Sequence, residues 1–197
     1  LVVMNIGESA AEEMVLDIIK KQTNPTIATF ASAGKVIFRI TAKAESKEKC
    51  IELIKPVQEE LIKRFGKENA YLVESGNVED KVAELLLENN LTISIAESLT
   101  GGLVSSKLIS YPGISSSYLQ GFITYSNKSK INTLNVKKET IEKYGAVSEE
   151  TAKEMAYGAA NISGSDIGVS TTGIAGPDGG SKVKPVGLVY VCVYYDG

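Results

Sequence analysis

Three segments of this sequence bring hydroxyl, amide, ammonium and glycine groups together at spacings that could do chemistry. The first is Ala96-Glu97-Ser98-Leu99-Thr100-Gly101-Gly102. An apolar run precedes it and a helical pattern follows, so it reads as a strand-to-helix turn. Such a turn points backbone N–H groups at an anion, and glycine lets the anion approach closely. Ser98 and Thr100 add hydroxyls and Glu97 a carboxylate. The same residues also suit a plain capped turn. The second segment, Thr124-Tyr125-Ser126-Asn127-Lys128-Ser129-Lys130, places a phenol, an amide and two ammonium groups near a strand end. Open α/β sheets bind ligands there. A lysine can activate a serine hydroxyl if its pKa falls well below the reference of about 10.4. Both Lys128 and Lys130 qualify, and a solvated basic turn is the bland alternative. The third segment is Thr171-Thr172-Gly173-Ile174-Ala175-Gly176-Pro177-Asp178-Gly179-Gly180. Its glycines could wrap a phosphate or ribose, while Pro-Asp-Gly-Gly is also strong turn chemistry.

The chain contains no histidine. A Ser-His-Asp triad, a Cys-His dyad and a His-ligated metal site cannot be built from it. Any general base must be Lys, Tyr, Asp or Glu. The two cysteines, Cys50 and Cys192, are far apart and form no zinc pattern. Both read as buried structural residues. A Tyr-x-x-x-Lys reductase site fails on spacing and on the absence of a GxGxxG turn.

The elements that must position these groups follow from periodicity. Residues 1–5 read as a short strand. Ser9 precedes a helical stripe of Ala10, Ala11, Met14, Val15, Ile18 and Ile19, which Thr23-Asn24-Pro25 ends. Strands are expected at 26–30 and 35–41, with Ser32-Ala33-Gly34 as the turn between them. Ser46 starts a second helix carrying Ile51, Ile54, Val57, Leu61 and Ile62 on one face, and residues 70–73 close the pattern as a strand. Glu74-Ser75-Gly76-Asn77 is the linker candidate. Beyond it, helices are expected at 78–87, 101–110, 128–134, 139–144 and from Ser148 to about 162, and strands at 91–96, 118–125, 166–171 and 187–195. The fold class is α/β: a three-layer α/β domain over 76–197, preceded by a small α+β domain over 1–75. Each chemistry-bearing loop follows a strand, so the three could converge on one sheet edge. Both ends read as cuts in a longer protein, because the chain opens inside a strand and closes at Asp196-Gly197 straight after another.

The 197 residues carry 21 basic and 24 acidic side chains, a net charge of −3. That balance gives no reason to expect general nucleic-acid or membrane binding. No apolar run nears the roughly 18 residues that span a bilayer, and no signal peptide is evident. A cytoplasmic protein is the expectation.

Taken together the motifs are more specific. AESLTGG, GFITYSNKSKINTL, GAVSEETAKEMA, STTGIAGPDGG and KPVG resemble the competence-damage-inducible protein family (CinA), and in particular its C-terminal nicotinamide-nucleotide amidohydrolase domain. Residues 1–75, with NIGESAAEEMVLDIIKKQTNPTIATFASAGKVIFRITAKA, resemble the family's KH-type middle domain. The resemblance implies hydrolysis of nicotinamide mononucleotide to nicotinic acid mononucleotide and ammonia, without metal or other cofactor. It places the family's serine on Ser98, its tyrosine and lysine on Tyr125 and Lys130, and its threonine on Thr172. Ser98 is then the nucleophile, with Lys130, helped by Tyr125, as the base. N–H groups at Thr100, Gly101 and Gly102 would hold an oxyanion or a 5′-phosphate, and Glu97, Thr172 and Gly173 would help bind substrate.

Two departures stand out. Leu99 replaces a small residue, often cysteine. The family's domain also continues into a strand and helix bearing a substrate-binding arginine that no residue here matches. The alternative reading is a non-catalytic adaptor of the recombination machinery, or a nucleotide-binding protein. The 1–75 region lacks the G-x-x-G loop with which KH modules clamp RNA, so a dimer-forming or interdomain module is expected there.

Overall fold

The computed structural model describes residues 1–32, 34–73 and 75–195. Ala33 of the expected turn, Glu74 of the expected linker, and Asp196 and Gly197 lie outside the described residues. The chain divides into two compact units, Leu1–Lys81 and Val82–Gly197. The division falls inside the helix that follows the linker candidate.

The first unit is α+β. It contains β1 (Val2–Met4), α1 (Glu8–Lys21), β2 (Thr26–Ser32), β3 (Lys35–Thr41), α2 (Lys47–Phe65) and β4 (Ala70–Tyr71). The strands form an antiparallel sheet in the order β2-β3-β1-β4. Its core joins Val3, Val36 and Phe38 from the sheet to Ala11 and Val15 of α1 and Leu61 and Phe65 of α2. Ser46 caps α2 by accepting from the Lys49 N–H at 3.3 Å. α1 is entered at Gly7 and not at Ser9. Three stripe residues named from periodicity, Ala10, Met14 and Ile51, are exposed, because only part of each helix meets the small sheet.

The second unit is a three-layer α/β domain. It comprises α3 (Val78–Glu88) from Val82 onward, β5 (Ile93–Glu97), α4 (Leu103–Ile109), β6 (Tyr118–Ile123), α5 (Asn127–Leu134), α6 (Lys138–Tyr144), α7 (Glu149–Ser163), β7 (Ile167–Gly173) and β8 (Val189–Tyr195). The sheet order is β6-β5-β7-β8, parallel except for β8. One face packs Ala96 and Phe122 against Leu134, Ile141, Met155 and Ala159 of α5, α6 and α7. The other packs Ile93 and Ile95 against Ala83 and Leu86 of α3 and Leu108 of α4. Of the apolar residues Val82, Leu85 and Leu86 on α3, only Leu86 is buried; Val82 and Leu85 are exposed, and Ala83 takes the second buried place. Asp166, expected to open β7, instead accepts from the Thr92 N–H and hydroxyl at 2.7 and 2.6 Å. On β8, Tyr190, Cys192 and Tyr194 are half-buried, while Val189, Val191, Val193 and Tyr195 are exposed. Cys192 is thus only partly the core residue that alternation suggests.

Two glycines let α7 lie close to its neighbours. A Cβ on Gly168 of β7 would come within 2.0 Å of the Ala156 carbonyl oxygen, and one on Gly158 of α7 within 2.1 Å of the Leu134 carbonyl oxygen. Leu134 ends α5. Gly158→Ala is therefore expected to push α5 and α7 apart and to lower stability by about 2 kcal/mol. The midpoint of urea unfolding checks this, and an unchanged midpoint would show that the two helices separate freely.

Candidate active site

The second unit's sheet fixes where chemistry can sit. β5, β6 and β7 run parallel, so their carboxyl ends share one edge. The chain leaves β5 to one side to form β6 and crosses to the other side to form β7. That reversal opens a crevice at the strand ends. Ser98 follows β5, Tyr125 follows β6, and Thr172 and Gly173 close β7. The three loops do converge. Together with Ala146 and Val147 they line a cleft of about 310 Å³, whose walls include Ser98, Leu99, Tyr125, Lys130, Thr172, Gly173 and Asp178. Depressions of similar size occur in the first unit, so volume alone does not pick the site.

What singles out this cleft is Lys130. Its side chain is 1% exposed, and Ser98 is 7% exposed. Ser126 caps α5 by accepting from the Ser129 N–H at 3.0 Å. Side chains on a helix lean toward its N-terminus, so Lys130 in the first turns reaches back under the end of β6. Leu134, one turn on, is buried on the same face. Lys128 sits two residues earlier, some 200° around the helix, and is exposed. Of the two lysines, Lys130 reaches the cleft and Lys128 does not.

Lys130 Nζ lies 2.9 Å from Ser98 Oγ, 2.7 Å from the Thr124 carbonyl oxygen and 3.2 Å from that of Tyr125. Burial pushes its pKa down to about 8. A neutral amine has two N–H donors and one lone pair. The two carbonyls can take the donors, which leaves the lone pair for the Ser98 hydroxyl. The arrangement can accept a proton from Ser98 near neutral pH.

Tyr125 takes part differently from expectation. Its carbonyl meets Lys130, but its side chain is 76% exposed at the cleft mouth, and among the described residues its phenol makes no hydrogen bond to Ser98 or Lys130. Thr172 Oγ1 donates to the Ala146 carbonyl at 2.7 Å, so this hydroxyl ties β7 to the opposite wall. Gly173 lies on the cleft wall as expected.

The glycine turn is a correction. Glu97 is fully buried (0% exposed). Its carboxylate accepts from the N–H groups of Gly102 (2.9 Å), Val104 (3.1 Å) and Ser105 (2.8 Å), and from the Ser105 hydroxyl (2.6 Å). Burial alone would raise its pKa. Hydrogen bonds from the Ser105 and Thr100 hydroxyls and the backbone outweigh that and hold it below the usual carboxylate range. The start of α4 does attract an anion, but the anion is the chain's own. Gly101 N–H donates to the Ser98 carbonyl at 3.2 Å, and Thr100 and Thr171 share a hydroxyl hydrogen bond of 2.8 Å. Glu97, Thr100, Gly101 and Gly102 are thus turned to shaping the loop, and none lines the cleft. The N–H groups of Leu99 and Thr100, beside Ser98, have no protein partner among the described residues.

Ala146, Val147 and Asp178 went unnoticed as site residues in the sequence. The first two lie in GAVSEE, whose only local signal is the Ser148 cap. Asp178 reads there only as a turn residue.

A mixed α/β sheet with a buried serine–lysine pair at its switch point, preceded by a small α+β unit, is the class of fold and candidate site that this chain presents. The description "CinA C-terminal domain" matches residues 75–197, and "Damage-inducible protein CinA KH domain" matches residues 1–69. The chain belongs to the CinA family. It is 56% identical over 195 residues to a competence-damage inducible protein of Clostridium acetobutylicum, covering 99% of this chain and 47% of that protein. A relative so named in Clostridioides difficile is 55% identical over 201 residues, covering 98% and 47%. The chain thus spans about half the length of the curated relatives it matches. Among solved structures, the competence/damage inducible protein CihA from Agrobacterium tumefaciens aligns with a TM-score of 0.57 and 39% identity, covering 64% of this chain and 78% of that one. A competence damage-inducible protein from Klebsiella pneumoniae aligns with a TM-score of 0.58 and 32% identity, covering 60% and 76%.

Proposed function

We propose that the second unit hydrolyses the carboxamide of nicotinamide mononucleotide, giving nicotinic acid mononucleotide and ammonia. The observation that carries this reading is the buried Lys130 amine, held by two carbonyls with its remaining site on Ser98 Oγ at 2.9 Å. Neutral Lys130 takes the Ser98 proton as Oγ attacks the amide carbon. The unpaired N–H groups of Leu99 and Thr100 are the donors left for the oxyanion. The intermediate collapses to an ester on Ser98, and the lysine gives its proton to the departing nitrogen, which leaves as ammonia. Lys130 then takes a proton from water as the water attacks the ester. Nicotinic acid mononucleotide leaves, and Ser98 regains its proton from the ammonium. Tyr125 helps through its carbonyl, which holds Lys130, and through its ring at the mouth of the cleft.

The cleft volume of about 310 Å³ is at the small end for ligand sites. It suits a single ring and its amide better than a whole dinucleotide. The test is direct. Nicotinamide mononucleotide is mixed with the protein, and ammonia and nicotinic acid mononucleotide are measured together. Equal molar yields are expected. Absence of both from protein shown to be folded would end the amidohydrolase reading.

A further inference from the structure

Lys184 belongs to KPVG, a segment conspicuous in the sequence that the chemistry above does not use. It lies on the connection from β7 to β8 and is not itself part of the cleft lining. Its ammonium donates to the carbonyls of Tyr144 and Val147, both at 2.6 Å. Tyr144 is the last residue of α6, where free carbonyls favour a cation. Among the described residues Lys184 forms no ion pair with a carboxylate.

The segment it grips is one wall of the cleft. Gly145 O accepts from the Ser148 and Thr151 hydroxyls at 2.9 and 2.8 Å, and Ala146 O accepts from Thr172. Every carbonyl from 144 to 147 is therefore met by a side chain, two of them by Lys184 alone. The segment that carries Lys184 is equally tied. Ile174 N–H donates to Leu188 O at 2.9 Å, Gly187 N–H to Ile174 O at 2.8 Å, and Ser181 N–H to Lys184 O at 2.7 Å. Lys184 N–H donates to Ser181 Oγ at 3.0 Å. This closed loop bears Ile174, Gly176 and Asp178 on the facing wall.

We infer that Lys184 is a positioning residue whose ammonium clasps the β7–β8 connection to the end of α6 and so sets the width of the cleft above Ser98. Lysine suits the task because its donors, on a flexible stem, can reach carbonyls of two different residues. The clasp touches neither the reacting atoms nor Lys130. It governs how tightly and in what pose the ring is held, and leaves the proton transfer alone. In kinetic terms its loss is felt in KM and spares kcat.

The role in substrate binding rests on the amidohydrolase reading, whereas the clasp itself does not. Lys184→Met keeps the stem and removes the donors. Hydrogen–deuterium exchange is expected to rise at least about fivefold at amides of 145–148 and of 174–187, with the β5 amides unchanged. With nicotinamide mononucleotide, KM is expected to rise about tenfold while kcat stays within about threefold. The Lys184→Gln form, uncharged and shorter, serves the same comparison if the methionine form does not fold. Unchanged exchange in either segment overturns the clasp. Faster exchange with an unchanged KM, or a fall confined to kcat, overturns its positioning role. Wild-type protein that releases no ammonia counts against the amidohydrolase reading instead, and the exchange measurement still decides the clasp.

Discussion

Replacing Lys130 with methionine is expected to lower kcat for ammonia release by about a thousandfold or more. Ser98→Ala should cost a similar factor, and the double variant little beyond either single one, because the two side chains act as one unit. Lys130→Arg should fare no better than methionine, since a guanidinium stays charged and cannot take the serine proton. The pH dependence follows from burial. Lys130 has its pKa pushed down to about 8, so the free enzyme is mostly protonated at pH 7. In the wild type, kcat/KM should climb about tenfold per pH unit below about 8 and level off above it. The stability linkage runs in the same direction. Between about 8 and the ordinary lysine value of 10.5, the unfolded chain binds the proton that the folded one has lost. Folding stability from this group therefore rises with pH across that window, and Lys130→Met should remove the slope. A flat kcat/KM profile between pH 6 and 9 would sink the lysine-base mechanism.

The second large effect is structural. Glu97→Gln is expected to destabilise the second unit by about 3 kcal/mol, because hydrogen bonds to a charged group are the strong ones and the amide cannot accept from every donor the carboxylate serves. The folded Glu97 pKa lies below the ordinary 4.5. Its contribution is thus complete above about pH 4.5 and is lost as the pH falls through the depressed folded value. Thermal melts of wild type and Glu97→Gln should differ by a constant amount from pH 5 to 7 and converge in acid. A gap that persists undiminished to pH 2 would show that the charge is not what holds the turn. Activity should fall as well, since Ser98 is the next residue along the chain.

The main lines of the fold were legible because periodicity tracks burial. Ser46 and Ser148 each stand before a helical stripe, and each accepts a backbone N–H. The convergence of three loops followed from their shared position after strands. Tertiary context hid the rest. Glu97 looked like a substrate ligand because nothing local shows that α4 begins close enough for the carboxylate to cap it. Lys128 and Lys130 were equivalent as residue types until the start of α5 at Asn127 fixed which faces inward. Tyr125 passed for a proton carrier because a motif does not distinguish a phenol from a backbone carbonyl. The wall at Ala146 and Val147 carries no polar side chain at all, so residue chemistry could not mark it.

The site draws Ser98 from the turn after β5, Lys130 from α5 and Thr172 from the end of β7, and only side-by-side pairing of β5 with both β6 and β7 aligns all three. Contacts this distant in sequence form late, since long loops must close first. Ser98 and Lys130 meet once β5 has paired with β6, and the Thr172 wall joins them only when β7 docks on β5. Recovered catalysis after dilution from denaturant is accordingly a clock for completion of the sheet. It should lag behind the return of helical signal and should never precede it.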